Sequence, residues 1–131
     1  MTLAGATKDF WRNYFTFKGR SSRRTYWLSI LFLVIVTFIL DRVFPGTNYI
    51  TVDSLGHHRA SYMFSVVLDA WVGLTVIPAL AAGSRRLHDT GKSAGRLFWL
   101  LIPGLGALLL LIWLTRAGDP SVNRHGEAPA K

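Results

Sequence analysis

A chain of 131 residues has the length of one domain, and half of it is hydrophobic while only 17% is charged, below the roughly 25% usual for soluble proteins. Fifteen Lys and Arg against seven Asp and Glu give a formal charge of +8; in a soluble protein that excess points to nucleic acid, but here the cations flank apolar stretches, which favours anionic lipid and sets nucleic acid aside. The absence of cysteine excludes disulfides and thiolate metal sites.

The first element is an amphipathic helix over about residues 3–17. Leu3, Thr7, Phe10, Trp11, Tyr14 and Phe15 recur at spacings of three and four, with Lys8, Asp9, Arg12 and Asn13 elsewhere around it, a pattern suited to the membrane interface. Gly19 breaks it, and Ser21 or Ser22 caps the next helix, placing Arg23 and Arg24 in a first turn where cations oppose the helix dipole and call for an anion. Lipid phosphate and Asp89 are the two candidates.

The first apolar span runs from about Tyr26 to Phe44, with an unbroken block from Ile30 to Leu40. About 19 residues suffice to cross a bilayer. Its basic leader is too long for a cleaved signal peptide, and no small-x-small site follows Leu40. The second span, Tyr62 to Ala82, contains Asp69 and Pro78. The third, Leu97 to Leu114, carries no charge and is interrupted by Pro103, Gly104 and Gly106; we read it as a kinked crossing helix, because by this count a re-entrant hairpin needs roughly twice the length. A polar tail, 115–131, follows. The expected fold is therefore a single all-α integral membrane domain of three transmembrane helices preceded by an interfacial helix. Ten of the cations fall in the leader and in the connection between spans two and three, and five elsewhere (Arg42, Arg59, Arg116, Arg124 and Lys131). The positive-inside rule then places the N-terminus in the cytoplasm and the tail outside.

The second connection, 84–96, concentrates the polar chemistry. Arg85 and Arg86 suit the C-terminal end of a helix, Gly91 a sharp turn, and Ser93 the cap of the next helix. Thr90-Gly91-Lys92-Ser93 is similar to the end of a phosphate loop, but that motif needs a glycine at position 86, where Arg stands, and a preceding strand. His88 and Asp89 lack a second His-Asp pair or carboxylate cluster for catalysis or metal binding; the expectation is structural, with Asp89 paired to an arginine and His88 bonded at the helix end. Lys18, Arg20, Arg23, Arg24, Arg85, Arg86 and Lys92 are the candidate cations for anionic lipid or a partner.

Asp69, about seven residues into its span, costs about 2.5–3.5 kcal/mol on insertion scales, so such a group faces protein or water. Either it lies on a polar path, or the helix shifts it to the outer interface beside Arg42 or Arg59. His57 and His58 with Asp53 make at most a loose external metal set, best read as exposed loop. Gly73, Ala79, Ala82 and Gly83 allow close helix packing.

Phe17-Lys18-Gly19-Arg20-Ser21-Ser22-Arg23-Arg24-Thr25-Tyr26-Trp27, then Pro78, Arg85-Arg86-Leu87-His88-Asp89-Thr90-Gly91-Lys92-Ser93, and Ile102-Pro103 with Gly106 together resemble the YhaH-like family of small bacterial inner-membrane proteins. Asn123-Arg124-His125-Gly126 with Pro129 matches as well, with His125 where the pattern has Tyr or Phe, and Gly118-Asp119-Pro120 departing from its Pro-Gly-Thr. The resemblance covers about Tyr14 to Pro129. It implies a multi-pass inner-membrane protein with no established activity, cofactor or catalytic residue; Asp69 and the two histidines lie outside the pattern. The expected role is a non-enzymatic module, without cofactor or metal, whose cytoplasmic basic surface binds anionic headgroups and a membrane-protein partner or second copy. The alternatives are a small oligomeric transporter or channel using Asp69, and a membrane-surface enzyme using His88 and Asp89.

Overall fold

A computed structural model describes residues 1–52, 54–63 and 65–129, with the side chains of 47–51 and 58–63 left aside. Its elements are α1 (Leu3–Arg12), α2 (Arg23–Val43), β1 (Thr47–Val52), β2 (His58–Met63), α3 (Val66–Asp89), a 3₁₀ helix (Ala94–Leu101) and α4 (Leu105–Thr115). The chain forms two compact units, Met1–Phe32 with Val76–Lys131, and Leu33–Thr75; α2 leads out of the first and α3 leads back.

α1 is shorter than the expected 3–17. Thr2 caps it, its Oγ1 accepting from the Gly5 N–H at 3.2 Å, and Asn13 closes it through the Asp9 carbonyl. Ala6 and Phe10, one turn apart, are fully buried, and the Ser29 hydroxyl of α2 reaches the Ala6 carbonyl at 3.3 Å. This helix thus packs on α2, while Phe15, beyond its end, is exposed.

Both α2, with 21 residues, and α3, with 24, are long and apolar enough to cross a membrane. Ser22 caps α2, accepting from the Thr25 N–H at 3.2 Å, so Arg23 and Arg24 do occupy the first turn. Leu31, Val34, Ile35, Phe38 and Ile39 are exposed, a continuous apolar surface that water does not tolerate and hydrocarbon does.

In the second unit, β1 and β2 pair antiparallel, Thr47 opposite Met63 and Val52 opposite His58. The sequence reading passed over this hairpin, although Thr-Asn-Tyr-Ile-Thr-Val is rich in β-branched residues. The hairpin moves the start of the following helix from Tyr62 to Val66, with the Ser65 hydroxyl accepting from the Leu68 N–H at 3.3 Å. Trp71 donates its indole N–H to Thr37 at 3.0 Å, joining α3 to α2 within this unit.

Residues 97–114 do not form the single crossing helix expected of them. Residues 94–101 form the 3₁₀ helix, the chain turns at Pro103 and Gly104 (φ +75°), and α4 returns. Gly106 permits the close turn: a Cβ there would lie 1.7 Å from the Trp99 carbonyl oxygen. Trp99 packs edge-on to Trp113 at 6.2 Å, and the Arg96 guanidinium lies 4.6 Å over the Trp113 ring. Eight 3₁₀ residues rise about 16 Å and eleven α-helical residues about 16 Å, so the two arms match at about half of a roughly 30 Å hydrocarbon core. A hairpin of two such arms needs only that reach, so 18 apolar residues do not require a crossing helix.

Candidate functional site

Residues 81–89, the last turns of α3, are buried on every side although they include two arginines, a histidine and an aspartate. The expected exposed loop is therefore the polar core of the first unit. Helix α3 runs to Asp89 and ends on Gly91 (φ +71°), where the Lys92 N–H bonds the Leu87 carbonyl and the Gly91 N–H bonds that of His88. Only glycine adopts this left-handed stop without strain.

Asp89 is the centre. Arg20 donates to its Oδ1 from Nε at 3.1 Å and Nη2 at 3.0 Å, and Arg86 pairs with its Oδ2. Buried charges persist only when paired and hydrogen-bonded, and both arginines spend their remaining donors on chain carbonyls. Arg86, fully buried, donates to Leu114 at 3.0 Å and to Arg116; Arg20 donates to Ser121 at 2.7 Å, Gly126 at 3.2 Å and Asp119. The Asp119 N–H bonds back to the Asp89 carbonyl at 2.7 Å. Gly118 lets the tail pass, since a Cβ there would meet the Asp89 carboxylate at 2.0 Å. The tail, expected outside, is thus fastened to the start of α2 and the end of α3.

His88 Nδ1 lies 3.1 Å from the Gly19 carbonyl, which assigns the proton to that nitrogen. His125 stacks on His88, with centroids 3.8 Å apart and planes 5° apart, supplying the flat face expected of Tyr or Phe at that position. Its Nε2 accepts from Arg124 Nε at 3.0 Å, and burial, then His88, Arg124 and Arg20, hold its pKa below the ordinary 6.5. Asn123 bonds the His88 carbonyl at 3.0 Å and, through Oδ1, the His125 N–H. The Ser121 hydroxyl, then its N–H, lowers the Asp119 carboxyl.

These contacts divide the predicted cations. Arg20 and Arg86 point inward and hold the core, a role that sequence reasoning gave to Asp89 with an unspecified arginine. Arg85 is also buried, with Nη1 3.2 Å from Asp9. Lys18, Arg23 and Arg24 are exposed, and Lys92 is half-buried, its pKa lowered by burial and by Arg96 and Arg116. Ser93 precedes the 3₁₀ helix without a side-chain cap bond. A cavity of about 640 Å³ opens beside the start of α2, lined by Asp9, Ser21, Ser22, Arg23, Arg24 and Arg85 among others.

Both Asp89 oxygens are engaged by arginines, and His88 is tied through Nδ1 to the Gly19 carbonyl. Asp69 is an exposed residue of the first turn of α3, where the dipole favours an anion. It stands at the start of the helix rather than seven residues in, because Ser65, four residues before it, precedes the helix. Arg42 lies beside Asp41 at 4.0 Å and over Phe38. His57 is exposed; Asp53 and the side chains of His58 and Arg59 fall outside the described residues.

The family model "Protein of unknown function (DUF805)" matches residues 14–127. The chain is 36% identical over 118 residues to "Inner membrane protein YhaH" of Escherichia coli (strain K12), covering 90% of each. It is 30% identical over 118 residues to "Inner membrane protein YhaI" of the same strain, covering 90% of this chain and 89% of that one. "Uncharacterized protein YiiR" of that strain is 28% identical over 109 residues, 79% of this chain and 65% of that one. No solved structure matches the chain.

Proposed function

Because the chain belongs to the DUF805 family, whose relatives carry a location in their names but no activity, we propose that it is a bacterial inner-membrane module that crosses the bilayer twice and presents a basic cytoplasmic face to anionic headgroups. The observation that carries this reading is the fastening of the tail to the two inner helix ends through Asp89, Arg20 and Arg86. Two crossings, by α2 and α3, return the chain to its starting side. Arg116, Arg124 and Lys131 then join the ten cations of the leader and the second connection, leaving only Arg42 and Arg59 at the far ends of the spans. The asymmetry that retains cationic segments in the cytoplasm is sharper than in the three-span reading. Near an acidic leaflet each such residue contributes about 1 kcal/mol.

The test is the lipid shell of the purified full chain. Wild type extracted from mixed bilayers should carry phosphatidylglycerol in excess over phosphatidylethanolamine. Replacing the exposed Lys8 and Lys18 and the half-buried Lys92 with Gln should reduce that excess and its sensitivity to salt. Equal retention of both lipids by wild type would overturn the reading.

A further inference from the structure

Two histidine rings close the tail over the end of α3, and the bonds around them set where a proton can go. His88 and His125 lie face to face, with centroids 3.8 Å apart and planes 5° apart. His88 donates from Nδ1 to the Gly19 carbonyl at 3.1 Å, a bond that the neutral ring and the imidazolium can both make. His125 is held the other way. Its Nε2 accepts from Arg124 Nε at 3.0 Å, and only an unprotonated ring nitrogen accepts. A proton there removes that bond and sets a positive ring against the Arg124 guanidinium.

No carboxylate stands ready to answer such a proton. The charged and titratable groups acting on His125 are His88 of α3, Arg124 of the tail and Arg20 of the connection before α2, all basic; burial first, then these groups, hold its pKa below the ordinary 6.5. The carboxylates of the same corner are committed, Asp89 to Arg20 and Arg86, and Asp119 to the Ser121 hydroxyl and N–H. Glu127, two residues on, is exposed. Like charges within about 4–6 Å disfavour the charged form, so two neutral imidazoles can share this stack and an imidazolium destabilises it.

The segment beyond Asp119 is otherwise held by polar bonds that water can replace: Asn123 to the His88 carbonyl at 3.0 Å, Arg124 to that of Gly91 at 3.3 Å, and Arg20 to those of Ser121 and Gly126. Residues 116–119 are anchored separately, through Arg86 on the Arg116 carbonyl and the Asp119 N–H on Asp89. We propose that the His88–His125 stack is a pH-sensitive clasp, which holds residues 121–127 against the end of α3 while both rings are neutral and releases them in acid. A detached tail carries an ordinary histidine, so the clasp has its full strength above the ordinary 6.5 and loses it as the pH falls through the lower value of the closed state. Release leaves the Asp89 pairs and the Arg116 anchor in place, so the clasp and the two-crossing reading stand or fall separately.

Hydrogen–deuterium exchange of the full chain in detergent, at about pH 7.5 and about pH 5.5 and corrected for intrinsic exchange rates, tests the clasp. The Asn123, His125 and Gly126 amides report on it, because each is bonded in the closed tail. Wild type should lose about tenfold or more of its protection over 121–127 in acid, while the protection of 84–89 stays. His125→Phe keeps a flat face that takes no proton, and its tail should stay protected at both pH values. His125→Ala removes the face and should open the tail at both. Unchanged wild-type protection in acid, or a His125→Phe tail that opens there as wild type does, would overturn the clasp. Magnetic resonance of the His125 ring in wild type checks the same point without a variant: titration below the ordinary 6.5 supports the clasp, and titration above it overturns the clasp.

Discussion

Asp89 shows how one residue can hold three segments. It sits at a helix C-terminus, where the dipole disfavours an anion, and is kept there by Arg20, 69 residues earlier, and Arg86, one turn back. Asp89→Asn keeps the shape and removes the charge that both buried guanidinium groups require. We expect a loss of about 3–5 kcal/mol, the cost of breaking a buried pair from one side. In detergent the unfolding midpoint should fall and residues 117–127 should become open to protease; an unchanged midpoint with a protected tail would remove Asp89 from the centre. That Asp89 needs an arginine was legible from the cluster of cations around it. Which arginine was not, because Arg20 reaches Asp89, and the carbonyls of Leu114 and Arg116 reach Arg86, only through the folded chain.

The hairpin of the 3₁₀ helix and α4 is the element on which composition was most misleading. An uncharged 18-residue run fits a crossing helix and a pair of half-length arms equally well by hydropathy, and Pro103-Gly104 fits a kink or a reversal. Steric detail decides: the Trp99 carbonyl occupies the space where a side chain at 106 would begin. Gly106→Val should therefore open the hairpin, changing the near-ultraviolet circular dichroism of the Trp99 and Trp113 pair and lowering the unfolding midpoint. Gly73→Ala is the control, since nothing lies within 4 Å of its added Cβ and alanine is the better helix former by about 1 kcal/mol. Equal behaviour of the two variants would contradict the close approach. The β-hairpin and the late start of α3 belong to the same lesson: Asp69 counted as seven residues into a helix only while 62–65 were taken as helical.

At the scale of the molecule, the number of crossings decides which side each segment meets. Two crossings and a fastened tail predict that a fluorescent protein fused after Lys131 is bright in the bacterial cytoplasm and that a phosphatase fused there is inactive. A thiol introduced at Ser54 or Leu55, in the connection between the spans, should be labelled from outside by an impermeant reagent. An active phosphatase fusion would restore three crossings.

The sequence by itself determined the membrane character, the two long spans, the amphipathic start, a cap at Ser21 or Ser22 and the stop at Gly91, because hydropathy, capping and left-handed turns are local properties of a few neighbouring residues. It also located the basic elements and the family pattern. The tertiary structure alone decided that Arg20 and Arg86 face inward while Arg23 and Arg24 face out, that the third apolar segment turns back, and that the tail lies on the helix ends. Each of these depends on a carbonyl, carboxylate or missing Cβ contributed by a segment far away in the chain, and no local pattern records that.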